Sequence, residues 1–244
     1  MHFGRFTEAT AGGGANERFL RNVEAFLLCA QHHHIAVNFT FFGMVPQSGD
    51  RGWGPSQGQP PNPYLDPAAL REQHAYVRSV VERFKSAPFL SYDLINEPSF
   101  SNPREIFHGN LPNGDAVETA AWRKWLRDHY HDNLESLANA WSTTPGKLAA
   151  FDSIPLPSPS DLHAARYGNS DEVRALDYNL FAQDMFSGWV HDLVTLIHGC
   201  GSSQLINVGQ DEGSVTDRLL NQFYGGSGVS FTTNHTYWQD DALL

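Results

Sequence analysis

The chain has 244 residues, 41% hydrophobic and 12% aromatic, enough to bury a sizeable core; this excludes a disordered chain and fits one large α/β domain or two small ones. A formal net charge of −11 lacks the basic surface that phosphate-backbone binding requires, so nucleic acid is not an expected partner, while an acidic balance is ordinary for an enzyme acting on neutral or cationic ligands. Cys29 and Cys200 are isolated and give neither a disulfide framework nor a paired metal signature; no apolar run reaches membrane-span length, so no membrane association is expected, and Met1-His-Phe-Gly-Arg lacks signal-peptide regions, leaving the compartment unknown.

Residues 1–10, followed by Gly12-Gly13-Gly14, read like the tail of a strand and its loop, as though the chain began in mid-domain without its true N-terminus. Phe19, Val23, Phe26, Leu27 and Ala30 then recur at helical spacing, and Ile35 to Val45 follows as a strand ending before Pro46. Residues 46–65, with Gly49, Gly52, Gly54, Gly58 and five prolines, form a loop longer than an ordinary connection, where Trp53 and Tyr64 either stack on a ligand or pack the loop down. Asp66 as N-cap and Pro67 at the first helical position start a helix with Leu70, Val77, Val81 and Phe84 on one face, stopped by Ala87-Pro88. The strand Phe89 to Ile95 comes next and runs into Asn96-Glu97-Pro98.

After Glu97 an irregular stretch gives way to a helical region from about Asp115 to Trp141, carrying Trp122, Trp125, Leu134 and Leu137; the whole of 99–165 reads as an insertion. A long helix with Leu176, Leu180, Trp189, Leu193, Leu196 and Ile197 on its core face ends near Gly199 and Gly201. Its aromatics, like the earlier tryptophans, are expected in the core. Gln204 to Gly209 is a strand, Ser214 to Phe223 a short helix, and Val229 to Tyr237 a further strand. Strands separated by helices imply right-handed crossovers and a parallel sheet. A doubly wound open sheet is the competing architecture, but no glycine-rich phosphate loop follows any strand, so a (β/α)8 TIM barrel is favoured. In such a barrel strands deliver catalytic groups at their C-terminal ends, which makes Glu97 the first candidate.

These residues carry a resemblance. Asn96-Glu97-Pro98 closing one strand and His235-Thr236-Tyr237 closing the strand two units later resemble the clan of retaining glycoside hydrolases on (β/α)8 barrels, family 5 most closely, while Asn133 to Thr143 is similar to the family 42 β-galactosidases. The resemblance implies a partial barrel of about strands three to six of eight, a single incomplete catalytic domain over residues 1–244. It implies cleavage of β-linked hexosides in an oligo- or polysaccharide, without metal or organic cofactor. Glu97 would be the general acid/base, Asn96 would hydrogen-bond the hydroxyl beside the reacting carbon, Tyr237 would donate to the nucleophile, and His235 would line the site.

Retention needs a second carboxylate about 5 Å from the first. The resemblance places that nucleophile on the next strand, outside residues 1–244, so that these residues alone are expected to be inactive. Asp211 and Glu212, just past a neighbouring strand, cannot easily face Glu97 across a sugar ring and read as rim residues. Asn38, Thr40 and Phe42 stand where family 5 usually shows a histidine. A non-catalytic carbohydrate-binding protein on a degenerate barrel is the competing function; a barrel lyase or aldolase would need a Schiff-base lysine or metal ligands at strand ends, and none is visible. His32-His33-His34 precedes its strand and is expected at a helix C-terminus. The sequons at Asn38 and Asn234 fall on strands expected to be buried.

Overall fold

In the computed structural model of the chain, the described residues are 9–10, 12–43, 46, 61–98, 100, 111–144, 146–158, 160–162, 172–211, 228–231 and 233–235. Four strands, β1 (Val37–Phe42), β2 (Leu90–Asn96), β3 (Ile206–Asp211) and β4 (Thr233–His235), form one sheet in the order β1-β2-β3-β4, all parallel. Neighbours in chain order are neighbours in space, with no reversal of direction. A doubly wound sheet would reverse at its switch point, so the order is that of a partial barrel.

Helices α1 (Glu17–His32), α2 (Pro67–Phe84), α3 (Ala116–His129), α4 (Leu134–Ala140) and α5 (Glu172–Gly199) alternate with the first three strands along the chain, with a 3-10 turn at Phe151–Ser153. Asp66 caps α2 as its sequence signature predicts, its carboxylate accepting from the Ala69 N–H at 3.0 Å, and Pro67 takes the first turn. Val77, Val80 and Val81 are fully buried on the face that α2 turns inward. Each contributes roughly 1.5–3 kcal/mol of apolar burial. His32 ends α1 and His33 caps it, donating its N–H to Cys29 and Ala30 carbonyls, as expected for a helix C-terminus. Among the described residues no helix is long and apolar enough to cross a membrane.

Several boundaries differ from the sequence reading. The first strand is shorter, because Ile35 and Ala36 lie exposed before it; Ile35 is 56% exposed. The helical region 115–141 is two helices, since His131 and Asp132 both take positive φ (54° and 57°) and Asn133 caps a new start by accepting from the Ser136 N–H. On α5 the buried face is Tyr178, Phe181, Ala182, Phe186, Trp189, Val190, Leu193 and Ile197, while Leu176 is 55% exposed, a shift of the stripe by two positions near its start. Asp211 closes β3 instead of following it. The expected helix 214–223 lies outside the described residues.

The sheet has two unlike faces. Phe39, Phe41, Leu90, Tyr92, Leu94, Ile206 and Val208 are buried, and Phe39 meets Phe19 of α1 while Phe41 meets Tyr76 of α2. Alternating with them are Asn38, Thr40, Ser91, Asp93 and Asn207, polar residues in register with one another across the strands. Ser91 Oγ donates to Asn38 Oδ1 at 2.8 Å, Thr40 Oγ1 to Asp93 Oδ2 at 2.9 Å and Asn207 Nδ2 to Thr233 Oγ1 at 2.9 Å. Period-two alternation thus puts an apolar face against the helices and a polar, cross-linked face on the opposite side. Asn38 lies on the polar face and is exposed, so the expectation that this sequon is buried does not hold.

Candidate active site

Because the strands are parallel, all four chains emerge at one end of the sheet, and the register sets what meets there. Phe42 is level with Ile95, Asn96 with Gly209, and Asp211 with His235. Asn96 and Glu97 therefore leave the sheet at the same end as Asp211 and His235. Asn96 is buried and Glu97 half-buried.

Glu97 stands at φ 50°, a left-handed conformation that an L-residue with a side chain rarely adopts and that costs roughly 1–2 kcal/mol. Its N–H donates to the Gly209 carbonyl at 2.9 Å, which extends the β2–β3 pairing by one residue and holds the turned backbone. The chain then enters Pro98, which is buried. A carboxylate is thus placed at a strand end on a fixed backbone, the geometry by which barrels present acid/base groups.

Beneath it lies Asp93, only 4% exposed, a residue singled out by no family motif. Its Oδ1 accepts from the Gly209 N–H at 2.8 Å and its Oδ2 from Thr40 Oγ1. A buried carboxylate costs several kcal/mol unless charge or hydrogen bonds compensate it, and here donors come from the strands on both sides. The signal that could have found it is the polar residue recurring every second position in otherwise apolar strands: Asn38 and Thr40, Ser91 and Asp93, then Asn207.

The loop between β1 and α2 is anchored by a second residue that sequence reasoning missed. Gln73 on α2 is buried, and its Nε2 donates to the carbonyls of Pro46 (2.9 Å) and Pro63 (2.8 Å), at the two ends of that loop. Its Oε1 accepts from Trp189 Nε1 at 2.7 Å, so one amide ties the loop to α2 and α5. Of the two readings open for Tyr64, the packing one holds: it is 3% exposed and packs against Phe100, Phe186 and Trp189. Trp53 lies outside the described residues, as do Tyr237 and Glu212; His235 and Asp211 are placed by backbone register alone.

In the run His32-His33-His34 the rings of His32 and His33 meet edge to face at 4.9 Å, and among the described residues no group of three or more His, Cys, Asp or Glu could hold a metal ion. Trp122, Trp125 and Trp141 stack on one another with centroids 5.7 and 6.3 Å from Trp122, core packing as expected.

A consecutive parallel sheet with flanking helices and a glutamate at a strand end defines the class: a partial (β/α)8 barrel of the glycoside hydrolase kind. A family model described as β-galactosidase, glycoside hydrolase family 42, matches residues 61–242, and the chain belongs to that family. Family 42 replaces family 5, which the strand-end motifs had placed nearest; those motifs are shared across the clan, whereas the segment at Asn133 to Thr143 pointed to the family itself. A catalytic mutant of a family 42 β-galactosidase from G. stearothermophilus shares the fold with a TM-score of 0.69 at 13% identity, over 94% of this chain and 34% of that one. A β-galactosidase from the psychrophilic Marinomonas ef1 gives 0.64 at 16% identity, over 88% and 33%. One from the Antarctic haloarchaeon Halorubrum lacusprofundi gives 0.66 at 16%, over 89% and 32%. The chain spans about a third of the length of these solved β-galactosidases. No curated protein matches it.

Proposed function

We propose that this chain is the acid/base-bearing part of a β-galactosidase, hydrolysing β-linked galactosides of an oligo- or polysaccharide with retention at the anomeric carbon. The observation that carries the reading is Asn96-Glu97-Pro98 at the C-terminal end of β2, with Glu97 pinned by its N–H to Gly209 in a chain of family 42. In this reading residues 1–244 form a single barrel domain with insertions at about 46–65 and 99–165.

Glu97, protonated, gives its proton to the glycosidic oxygen as a second carboxylate, outside residues 1–244, attacks the anomeric carbon. The bond to the leaving group breaks and a covalent galactosyl-enzyme forms. Glu97, now a carboxylate, takes a proton from water as that water attacks the same carbon, which releases galactose and restores both groups. Asn96 holds the hydroxyl beside the reacting carbon, His235 lines the sugar and Tyr237 donates to the second carboxylate, both from the strand two units on, and Trp53 supplies a stacking face. No metal or organic cofactor enters the scheme.

The test is Glu97→Gln in the full-length enzyme. Galactosides with alkyl or sugar leaving groups should lose hydrolysis, whereas aryl galactosides with good leaving groups, which need little protonation, should lose far less in the first step, with azide restoring turnover. Equal loss on both substrate types without azide rescue removes Glu97 from this role. A wild-type protein that binds galactosides and hydrolyses none would instead be a carbohydrate-binding barrel.

A further inference from the structure

We propose that Asp93 is a positioning residue for Glu97, acting through the Gly209 peptide; the inference rests on the assignment of Glu97 as acid/base. In an uninterrupted parallel ladder the Gly209 N–H would go to a carbonyl of β2. Here the register slips. Asp93 is level with Asn207, but Asn96 is level with Gly209, so β2 takes three steps where β3 takes two. The extra residue leaves the Gly209 N–H without its ladder partner, and the Asp93 carboxylate takes that place at 2.8 Å. On the other side of the same residue the Gly209 carbonyl accepts from the Glu97 N–H at 2.9 Å.

Gly209 is therefore gripped at both ends, by the side chain of Asp93 and by the backbone of Glu97. The extra residue of β2 carries Asn96 and Glu97 forward along the strand, and the left-handed turn at Glu97 follows at once. Thr40 steadies the other carboxylate oxygen from β1 at 2.9 Å, so three strands converge on Asp93 one layer below the strand end. A bulge beside an active site re-aims a side chain. Loss of the Asp93 grip would free Gly209 to slide back toward regular register and swing the Glu97 carboxylate away from the glycosidic oxygen. A misplacement of about 1 Å costs on the order of 100-fold in rate.

The experiment is steady-state kinetics of the full-length enzyme on an alkyl β-galactoside and a dinitrophenyl β-galactoside. Asp93→Ala should lower kcat/KM, which reports the first step, by about 30-fold or more on the alkyl substrate and by only ~3-fold on the dinitrophenyl substrate, because proton donation is what suffers in that step. Asp93→Asn keeps an oxygen for the Gly209 N–H and an amide for Thr40, and should recover most of the loss. Thr40→Val, which removes a single hydrogen bond, should show the same leaving-group bias at roughly 3- to 10-fold and decides the matter if Asp93→Ala does not fold. Equal losses on the two substrates, or Asp93→Asn as impaired as Asp93→Ala, would overturn the positioning role and leave Glu97 untouched. Absence of leaving-group dependence in Glu97→Gln itself sinks the acid/base assignment, and this inference with it.

Discussion

The strand end around Glu97 and the helical block of α3, α4 and α5 both bury carboxylates, and the contrast lies in what each carboxylate holds. In the block, Tyr178 Oη donates to Glu118 Oε1 at 2.6 Å, and Tyr130 Oη and Trp141 Nε1 both donate to Asp177 Oδ2 at 2.7 Å. Each acid joins helices through aromatic polar tips, and Glu118 has no exposed surface. At the strand end, Asp93 holds backbone and Glu97 is half-buried beside it.

Burial pushes the Glu118 carboxyl up to about 7, against the lowering effect of the Tyr178 hydroxyl and the Gly114 N–H. A perturbed acid is a usual sign of a functional site. Here the sign falls on a sealed region: Glu118 lies among α3, α5 and the Asn113-Gly114 turn with nothing for a substrate to reach. What separates the two regions is access: Glu97 is half-buried, whereas Glu118 is fully buried.

The sharpest way to break this contrast is Glu97→Gln. It should lower turnover of unactivated galactosides by about 10³-fold, roughly 4 kcal/mol in the barrier, and leave the thermal unfolding midpoint nearly unchanged, because the exchange keeps the size and shape of a half-buried side chain at a strand end. A clear drop in that midpoint would show that Glu97 is structural after all. Trp122→Ala should do the reverse: it empties a fully buried site stacked on Trp125 and Trp141 and should cost about 3–5 kcal/mol in denaturant unfolding. Folded enzyme that survives should keep the leaving-group dependence of the wild type.

The carboxyl of Glu118 titrates higher in the folded than in the unfolded chain, so the stability it contributes is fully present below its ordinary value of 4.5 and is lost as pH rises through about 7. Between those limits the loss is about 3 kcal/mol for a shift of this size. Denaturant titrations across that window should show the decline in the wild type and a flatter profile in Glu118→Gln; identical profiles would mean that another group carries the dependence. The smallest effect is expected at Gln73. Gln73→Leu strands two loop carbonyls and the Trp189 N–H, and should cost about 1–3 kcal/mol of stability. If Trp53 contacts substrate, the same change should raise KM more than it lowers kcat.

Much of the scaffold was legible because short-range chemistry writes it. Asp66-Pro67 marks the start of α2 by a cap and a preset φ, the apolar runs of β1 and β2 follow from burial on the helix side, and Asn96-Glu97-Pro98 announces itself at a strand end. The break between α3 and α4 was missed because Tyr130 to Asn133 carries no glycine or proline; positive φ at His131 and Asp132 is set by packing on either side. The stripe on α5 was misread at Leu176 because an amphipathic pattern on a helix of 28 residues can be phased more than one way, and only the partners, Trp122 and Phe100 against Phe181, choose among them.

The amino-acid sequence by itself determined the order of helices and strands, the parallel sheet that this order requires, and the carboxylate at the end of β2, since propensity, capping and period-two burial all act within a few residues. Only the tertiary structure decided that β2 and β3 slip by one residue between Asp93 and Asn96, and that Asp93 therefore grips Gly209 across 116 positions of chain while Gly209 holds Glu97. Register is a property of two strands together. A sequence read along one strand shows which face a side chain takes, but which backbone N–H it meets depends on where the neighbour stops.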